Sequence, residues 1–321
     1  MEKYPEVEKI FNDIQKLNIQ GATNVAISTF EGMKIFLELT DESDPKKLLS
    51  ELSRVGWELA LARDNEPLAR NGVTYILHFF KERFPVLPTL SVMKHELTTL
   101  CDEYLEMIAS TKAQMIAKNA KNLTYIDKMF THCHSSTATA IMKVIGKGDP
   151  DFEVVCTETR PRFQGRKTAQ RMVEAGIKTT LIADSAAETF VIGRGNVLID
   201  AVFIGCDQIT AEGHTINKIG SWGIAMAAYY AGKPLYVVSP FLKIDPDSFL
   251  QTVEIEVRED RELWDEAPKG LRMYNPAFEI VDKDLITGYL TEFGMVRPSH
   301  IKQTAKEHYP WIFDADVKNI N

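Results

Sequence analysis

The hydrophobic pattern of this 321-residue chain changes its period near Lys121. From residue 5 to about residue 120, apolar residues recur three and four positions apart, which is typical of amphipathic helices. Beyond Lys121, short β-rich runs alternate with helical runs, which is typical of βαβ units and a parallel sheet. The sequence therefore predicts an α/β protein, with a helical N-terminal domain at 1–121 and a Rossmann-like, mostly parallel, doubly wound sheet at 122–321.

Five helices are predicted in the first region. The third begins at Asp44-Pro45, where a capping residue precedes a proline at the first helical position. The fifth covers about 91–117, which is long enough to brace one domain against another. Its methionines occupy core positions, and no cofactor role is assigned to them.

The second region alternates six predicted strands with four predicted helices. The strands lie at 128–133, 152–157, 178–183, 197–205, 234–238 and 285–290, and the helices at 137–145, 165–175, 185–192 and 218–231. In a doubly wound sheet, ligands bind beyond the carboxyl ends of the strands. The residues that follow each strand are therefore the candidates for chemistry.

Composition excludes several kinds of partner. The net charge is −8 and the 37 basic residues are scattered, so no nucleic-acid partner is expected. No basic N-terminal segment leads into an apolar run, and no stretch of about 18 apolar residues occurs, so we expect a cytoplasmic protein with no membrane partner. The four cysteines are widely separated and lack the spacing of a zinc site or a disulfide framework.

The first predicted strand runs into the segment 131–137, which contains Cys133 between two histidines. A helix begins there, and its dipole, together with any nearby cation, is expected to lower the pKa of the Cys133 thiol and favour a thiolate base or nucleophile. The same N–H groups suit a phosphate. Two alternatives stay open: Cys133 is a small buried residue with locally bonded histidines, or His132 and His134 bind a metal, although no third ligand is evident.

Polar residues also follow the second and third predicted strands. Arg160, close to the glycine-opened helix at Gly165, is a candidate phosphate clamp, because a guanidinium binds phosphate through two hydrogen bonds. Structural ion pairing is the alternative for Glu158 and for Arg160. After the third strand, Asp184 is interpreted as an acidic helix cap.

The fourth predicted strand leads to Cys206, which is expected to face the core, and then to Asp207. A half-sheltered carboxyl at the sheet edge has a raised pKa and serves as a general acid or base. Asn217 and Lys218 are predicted to open the next helix, where a cation is disfavoured by the dipole unless an anion binds beside it. Lys243 is a further candidate cation, with simple solvation as the alternative.

These motifs resemble those of archaeal ribose-1,5-bisphosphate isomerases. The segments T-H-C-H-S, T-E-T-R-P…Q-G, D-S-A, G-x-D, N-K-I-G and N-P-A-F (275–278) occur in this order in that family. The similarity covers nearly the whole chain. Methylthioribose-1-phosphate isomerases and the alpha-type subunits of initiation factor 2B share the architecture, a helical domain followed by a Rossmann-like domain.

The resemblance implies an aldose–ketose isomerisation of a phosphorylated pentose, in which C2 loses a proton and C1 gains one through an enol-type intermediate. It implies that Cys133 is the base, that Asp207 is the acid and that no redox cofactor is required. Substrate-binding positions are implied at Gln20, Gly21, Ala22, Thr23, Arg63, Ser135, Ser136, Thr137, Arg160, Asn217, Lys218 and Lys243. A homo-oligomer, dimer or hexamer, is expected, and a nucleotide activator is left open.

Two positions depart from the isomerase pattern. Gln20 stands where the isomerases carry an arginine, whose loss removes about 1–3 kcal/mol of charge-assisted binding. Ser136 stands where some relatives have a lysine. Three hypotheses follow: an isomerase of ribose 1,5-bisphosphate, an isomerase of another aldose 1-phosphate such as methylthioribose 1-phosphate, and a non-catalytic initiation factor 2B-like binding protein. The presence of both Cys133 and Asp207 favours an enzyme.

Overall fold

The computed structural model describes residues 3–63 and 65–315, and the chain forms two compact units. The first comprises Met1–Ser110, Leu242–Pro246 and Gln303–Asn321, and the second comprises Thr111–Phe241 and Asp247–Lys302. The predicted domain boundary at Lys121 stays a prediction. Within the described residues, no helix is both long enough and apolar enough to cross a membrane.

The first unit is built on helices that bury their apolar faces against one another. They are α1 (Pro5–Gln15), α2 (Ala22–Leu39), α3 (Pro45–Ala60), α4 (Pro67–Arg83) and the greater part of α5 (Leu90–Asn119). The predicted start of α3 is confirmed, because the Asp44 carboxylate accepts hydrogen bonds from the backbone N–H groups of Lys46 (2.8 Å) and Lys47 (3.3 Å).

A glycine permits close packing in the middle of this unit. A Cβ at Gly72 of α4 would lie 2.1 Å from the Phe30 ring and 2.5 Å from the Tyr104 ring, so only glycine lets these aromatic side chains approach. The Trp311 ring, from the C-terminal segment, packs edge-on against Tyr75 with ring centroids 5.2 Å apart. The C-terminal segment therefore completes the helical core.

The second unit contains the predicted parallel sheet, with helices between its strands. Its strands are β1 (Lys128–His132), β2 (Glu153–Thr157), β3 (Lys178–Ile182), β4 (Ala201–Ile204), β5 (Gln208–Thr210), β6 (Thr215–Lys218), β7 (Leu235–Val238), β9 (Phe278–Val281), β10 (Gly288–Thr291) and β11 (Gly294–Val296); the two-residue β8 (Ile244–Asp245) falls in the first unit. The helices are α6 (Ser136–Ile145), α7 (Gln164–Val173), α8 (Ala187–Val191) and α9 (Ser221–Tyr230). After the last strand comes α10 (Ile301–His308), most of which falls in the first unit.

The strand order of the main sheet is β11-β10-β7-β4-β1-β2-β3. The pairs in this order are parallel except β10 with β11, so the predicted doubly wound fold is confirmed. The chain proceeds from β1 to β2 and β3 on one side and then returns to β4 on the other. This reversal opens a crevice beyond the carboxyl ends of β1 and β4, where doubly wound proteins bind their ligands.

Several predicted boundaries are wrong. The strand predicted at 197–205 begins only at Ala201, because pairing with β1 starts where Met129 faces Ala201. The strand predicted at 285–290 is displaced toward Gly288–Thr291, because Lys283–Leu285 forms a helical turn. The fourth predicted helix begins at Ser221 rather than at residue 218, so Lys218 ends a strand instead of opening a helix.

The sequence analysis missed a second, antiparallel sheet in this unit. It contains β5, β6 and β9, and Lys218 of β6 is paired with Phe278 of β9. These partners are far apart in the chain, so the short run at Thr215–Lys218 carries no local signal of its pairing. Gly220, with φ of +103°, then turns the chain into α9.

Gly165, in the first turn of α7, is required by the approach of that helix to β2. A Cβ at this position would lie 1.8 Å from the Thr157 carbonyl oxygen, which is backbone and cannot yield. We expect Gly165→Ala to lower the free energy of unfolding by about 3 kcal/mol, as overpacking does. The control is Gly148→Ala, where no atom lies within 4 Å of the new Cβ and only the positive φ of +82° is strained. Urea unfolding measures both, and equal losses would contradict the prediction.

Candidate active site

The two candidate catalytic residues follow the two strands that border the crevice. Cys133 comes directly after β1, and Asp207 comes three residues after β4. The ends of these strands are adjacent, because His132 faces Ile204 in the parallel register. The charges of Asp207 and Lys218 both act on the Cys133 thiol. The fold thus brings a thiol, a carboxyl group and an ammonium group to one place.

Cys133 has an unusual backbone conformation. Its φ is +66°, in the left-handed region that costs a non-glycine residue about 1–2 kcal/mol. Two threonines hold it there: the Cys133 N–H donates to Thr159 Oγ1 at 3.0 Å, and the Thr168 hydroxyl donates to the Cys133 carbonyl oxygen at 2.7 Å. A strained residue that its surroundings fix in this way is a common feature of functional sites.

The protonation of Cys133 differs from the sequence-based expectation. Burial raises the pKa of the thiol to about 11, and the Asp207 carboxylate raises it further, while Lys218 acts in the opposite direction. The prediction that the helix dipole and a cation lower this pKa is therefore wrong. Loss of solvation outweighs the effect of Lys218, and the thiol is protonated at neutral pH.

Asp184 does not cap a helix, which corrects the expectation for this residue. Its carboxylate accepts hydrogen bonds from the backbone N–H groups of Thr159 at 2.7 Å and Arg160 at 2.6 Å. These bonds fix the turn after β2, in which Thr159 has a φ of +63°. Asp184 thereby supports the threonine that in turn holds Cys133.

The N-terminus of α6 lies directly after Cys133. Ser135 is its cap, with Oγ accepting from the Ala138 N–H at 3.2 Å, and Ser136 and Thr137 form the first turn. The Lys112 ammonium donates to Ser136 Oγ at 3.4 Å. The sequence analysis missed Lys112, which lies on α5 and comes beside Ser136 only in the folded chain. It supplies a cation beside the first turn of α6.

Asn217 and Lys218 lie at the end of β6. Asn217 is buried and donates from Nδ2 to Ser221 Oγ at 2.8 Å. Its Oδ1 faces Gly205, since a Cβ built there would lie 3.7 Å from it and 3.0 Å from the Ser135 Cβ. The Lys218 ammonium lies 4.5 Å from the centre of the Phe278 ring, a cation–π contact that gives the N-P-A-F segment a role in positioning this lysine.

The N-terminus of α9 is already occupied by a carboxylate. Glu279 accepts hydrogen bonds from the N–H groups of Gly220 at 2.5 Å and Trp222 at 2.9 Å. The expectation that a bound anion satisfies this helix beside Lys218 is therefore wrong, because the chain supplies its own anion from β9. Partial burial nevertheless raises the pKa of Glu279.

Structural ion pairing, the alternative for Glu158 and for Arg160, is found at Glu158. Glu158 accepts from Arg166 at 2.8 Å. Arg160 is exposed, donates to the Leu263 carbonyl oxygen at 3.1 Å and lies 5.4 Å from the centre of the Phe163 ring. Its role as a phosphate clamp stays a prediction.

The remaining predicted substrate-binding residues belong to the first unit. They are Gln20, Gly21, Ala22, Thr23, Arg63 and Lys243. Gln20 donates to the Leu17 carbonyl oxygen at 2.8 Å, and Arg63 forms a nearly buried ion pair with Glu66 at 2.9 Å. Their contribution to the site stays a prediction.

The two histidines beside Cys133 hydrogen-bond within the fold. Both ring nitrogens of His132 are used, by Thr157 Oγ1 at 2.6 Å and by the Ile219 carbonyl oxygen at 2.9 Å. His134 donates from Nδ1 to Thr168 Oγ1 at 2.9 Å. Over 3–63 and 65–315, no group of three His, Cys, Asp or Glu side chains is arranged to hold a metal ion. The metal alternative therefore has no ligand set in this part of the chain.

His134 makes stability depend on pH. Burial and the charges of Lys167, Arg171 and Lys112 lower its pKa from 6.5 to about 4. Its contribution to stability is present above pH 6.5 and is lost as the pH falls toward 4, because the unfolded chain takes up the proton first. We expect His134→Asn to reduce the loss of unfolding free energy between pH 7 and about pH 4, measured by urea unfolding. The control is the exposed His95→Asn, and equal slopes in both variants would contradict this assignment.

The chain matches known proteins over most of its length. The model of the Initiation factor 2 subunit family matches residues 18–298. A ribose 1,5-bisphosphate isomerase from Pyrococcus furiosus is 29% identical over 317 residues, covering 96% of this chain and 95% of the relative. A methylthioribose-1-phosphate isomerase from Symbiobacterium thermophilum is 30% identical, covering 91% of this chain and 85% of the relative.

Solved structures have the same fold. The translation initiation factor eIF-2B of Pyrococcus horikoshii OT3 superposes with a TM-score of 0.76 at 23% identity, covering 91% of this chain and 97% of that one. At this level of identity the similarity concerns the fold. The fold described above is thus a known one.

Proposed function

The chain belongs to the Initiation factor 2 subunit family and is an isomerase of sugar phosphates, and from this premise we propose that it converts ribose 1,5-bisphosphate to ribulose 1,5-bisphosphate. The observation that carries the proposal is the electrostatic coupling of the Cys133 thiol to Asp207 and Lys218 at the crevice between β1 and β4. A thiol and a carboxyl group can exchange protons with two atoms of one small substrate.

The proposed reaction moves protons and leaves the substrate's composition unchanged. Asp207, as a carboxylic acid, gives its proton to the ring oxygen as the bond from that oxygen to C1 breaks. Cys133, as a thiolate, takes the proton from C2, and the electron pair of that C–H bond forms the C1–C2 double bond of an enol. The enol hydroxyl at C2 then loses its proton while C1 gains one, which yields the ketose. The oxidation at C2 is balanced by the reduction at C1.

The starting protonation state requires a proton to move between the two groups. The Asp207 carboxylate is one cause of the raised pKa of Cys133. When Asp207 carries a proton, as the proposed reaction requires, this cause is absent and the thiolate is easier to form. Lys218 favours the thiolate in either state. The raised pKa of the thiol also makes its anion a strong base toward a carbon-bound proton.

Recognition of the sugar phosphate rests on the cations and N–H groups around the crevice. In the second unit these are the first turn of α6 with the neighbouring Lys112, together with Asn217 and Lys218. Arg160, also in the second unit, is proposed as a further phosphate ligand. Gln20 to Thr23, Arg63 and Lys243, in the first unit, are proposed as substrate-binding residues by the resemblance alone.

A second substrate is favoured by one feature of the sequence. Gln20 stands where the isomerases of ribose 1,5-bisphosphate carry an arginine, and a monophosphate needs one cation fewer. A relative at 30% identity is named for methylthioribose 1-phosphate. Initial rates with ribose 1,5-bisphosphate and methylthioribose 1-phosphate at equal concentration will decide between them, and a higher kcat/KM for the latter would reject the bisphosphate.

The catalytic assignment is tested by proton NMR in deuterated water, with and without AMP. We expect Cys133→Ser and Asp207→Asn each to reduce turnover by about 10²–10⁴-fold, the typical contribution of a general acid or base, while the circular dichroism spectrum stays that of the wild type. Cys101→Ala, at a buried thiol of α5, is the matched control and should retain the wild-type rate.

Wild-type rates in both variants would refute the proposed proton transfer. If the folded wild-type protein converts no sugar phosphate but binds one, the non-catalytic hypothesis is supported instead. Copurification with initiation factor 2 would then be the next experiment.

We further propose that the chain forms a homo-oligomer through α9. Its outer face presents large side chains at helical spacing: Trp222 (42% exposed), Met226 (39%), Tyr229 (66%) and Tyr230 (81%). An exposed aromatic stripe of this kind is typical of a protein interface, and a second copy of the chain is the proposed partner.

We expect the double variant Tyr229→Glu/Tyr230→Glu to shift the molar mass in solution toward that of one chain, 36.3 kDa, because two buried carboxylates are incompatible with an apolar interface. Light scattering after size exclusion measures the mass. The control is Tyr274→Glu, at a tyrosine that is 70% exposed outside α9. An unchanged mass in the double variant would place the interface elsewhere.

A further inference from the structure

His132 has a place in the site that the proposed reaction does not use. It is the last residue of β1, its side chain is 3% exposed, and it directly precedes Cys133. One ring nitrogen lies 2.6 Å from Thr157 Oγ1 and the other 2.9 Å from the Ile219 carbonyl oxygen. A buried histidine with both nitrogens in use has a fixed orientation and a fixed proton.

The partners determine which nitrogen carries the proton. A carbonyl oxygen only accepts, so His132 Nε2 carries a proton and donates it to Ile219. Burial lowers the pKa of His132, so the ring is neutral and its Nδ1 accepts. The Thr157 hydroxyl is therefore the donor to Nδ1.

The same logic extends the chain to the candidate base. The Thr157 and Thr159 hydroxyl oxygens are 3.2 Å apart, and since Thr157 gives its proton to His132, Thr159 donates to Thr157. Thr159 Oγ1 in turn accepts from the Cys133 N–H at 3.0 Å. One directed chain of hydrogen bonds thus runs from Cys133 through Thr159, Thr157 and His132 to the Ile219 carbonyl oxygen. Each donated hydrogen in this hydrogen-bond chain has an acceptor.

Both ends of this chain belong to the site. At one end it holds the strained backbone of Cys133, and at the other it holds the segment that directly follows Asn217 and Lys218. The ring also lies against that segment, since a Cβ on Gly220 would be 3.2 Å from the His132 ring. The loop after β1 and the loop after β6 are therefore joined through one imidazole.

We propose that neutral His132, protonated on Nε2, is a positioning residue that fixes the Cys133 thiol relative to Lys218. The expected effect on kcat rests on the proposed isomerase function. The expected tautomer of His132 and the position of the Cys133 loop rest on the hydrogen bonds alone. His132 is assigned no contact with the substrate in this proposal. It acts through the two loops, so its removal should misplace the thiol and the ammonium group together.

The kinetic test uses the isomerase and the sugar phosphate that it converts fastest. We expect His132→Asn and Thr157→Val each to lower kcat about ten-fold, the effect of one lost hydrogen bond in the chain, and the double variant to fall no further than the lower single variant. Thr157→Ser keeps the hydroxyl and should restore kcat to within about two-fold of the wild type.

The matched control is His214→Asn, at a buried histidine that accepts from the Lys283 N–H at 3.2 Å outside the crevice. It should retain the wild-type kcat. The proposal is wrong if Thr157→Val has the same kcat as Thr157→Ser. It is also wrong if the losses of kcat multiply in the double variant, because the hydrogen-bonded residues then do not act as one unit. If His132→Asn fails to fold, the comparison of Thr157→Val with Thr157→Ser still tests the proposal.

Two measurements do not depend on turnover. They test the hydrogen-bond chain even if the protein converts no sugar phosphate. Long-range proton–nitrogen NMR at pH 7.5 should show His132 with its proton on Nε2 and Nδ1 bare; the other tautomer or an imidazolium would overturn the proposal. Alkylation of Cys133 by iodoacetamide, followed by peptide mass spectrometry, should be about ten-fold faster in Thr157→Val than in the wild type and unchanged in Thr157→Ser, because a loosened loop exposes the thiol. Equal rates in all three would contradict it.

Discussion

The parallel pairing of β1 with β4 is the constraint on which the rest of the site depends. His132 faces Ile204 in this register, so the two strands end together and the residues beyond them share one crevice. The chain reverses its direction across the sheet at this point, which is where doubly wound folds bind their ligands. A thiol after one strand and a carboxyl after the other are therefore brought together by topology alone.

The hydroxyl groups of threonines determine how the thiol is held. Cys133 sits in a left-handed conformation that its own side chain disfavours, and Thr159 and Thr168 bind its two backbone groups. Asp184, after β3, holds the Thr159 turn. Three neighbouring strands thus contribute to one backbone angle.

Burial and pairing limit the charge of two groups near the crevice, the Cys133 thiol and the N-terminus of α9. Burial is the main reason why the pKa of the Cys133 thiol is raised to about 11, and Lys218 does not offset it. The N-terminus of α9 is paired with the Glu279 carboxylate. Proton transfer as proposed is compatible with such a site, because it needs only that one proton be exchanged between two groups.

The sequence by itself determined the features that depend on neighbours in the chain. The start of α3 at Asp44-Pro45, the change of period near Lys121 and the strand-end positions of Cys133 and Asp207 are all local, because caps, helical periods and strand lengths are set within a few residues. The doubly wound order followed from the alternation of strands and helices.

Only the tertiary structure decided what depends on partners far along the chain. Lys218 ends a strand because β9 pairs with it, and Lys112 reaches Ser136 because α5 passes the start of α6. The direction of the pKa shift at Cys133 could not be predicted from the sequence either. Desolvation depends on all the atoms that surround the thiol, whereas the sequence indicates only the following helix and candidate cations.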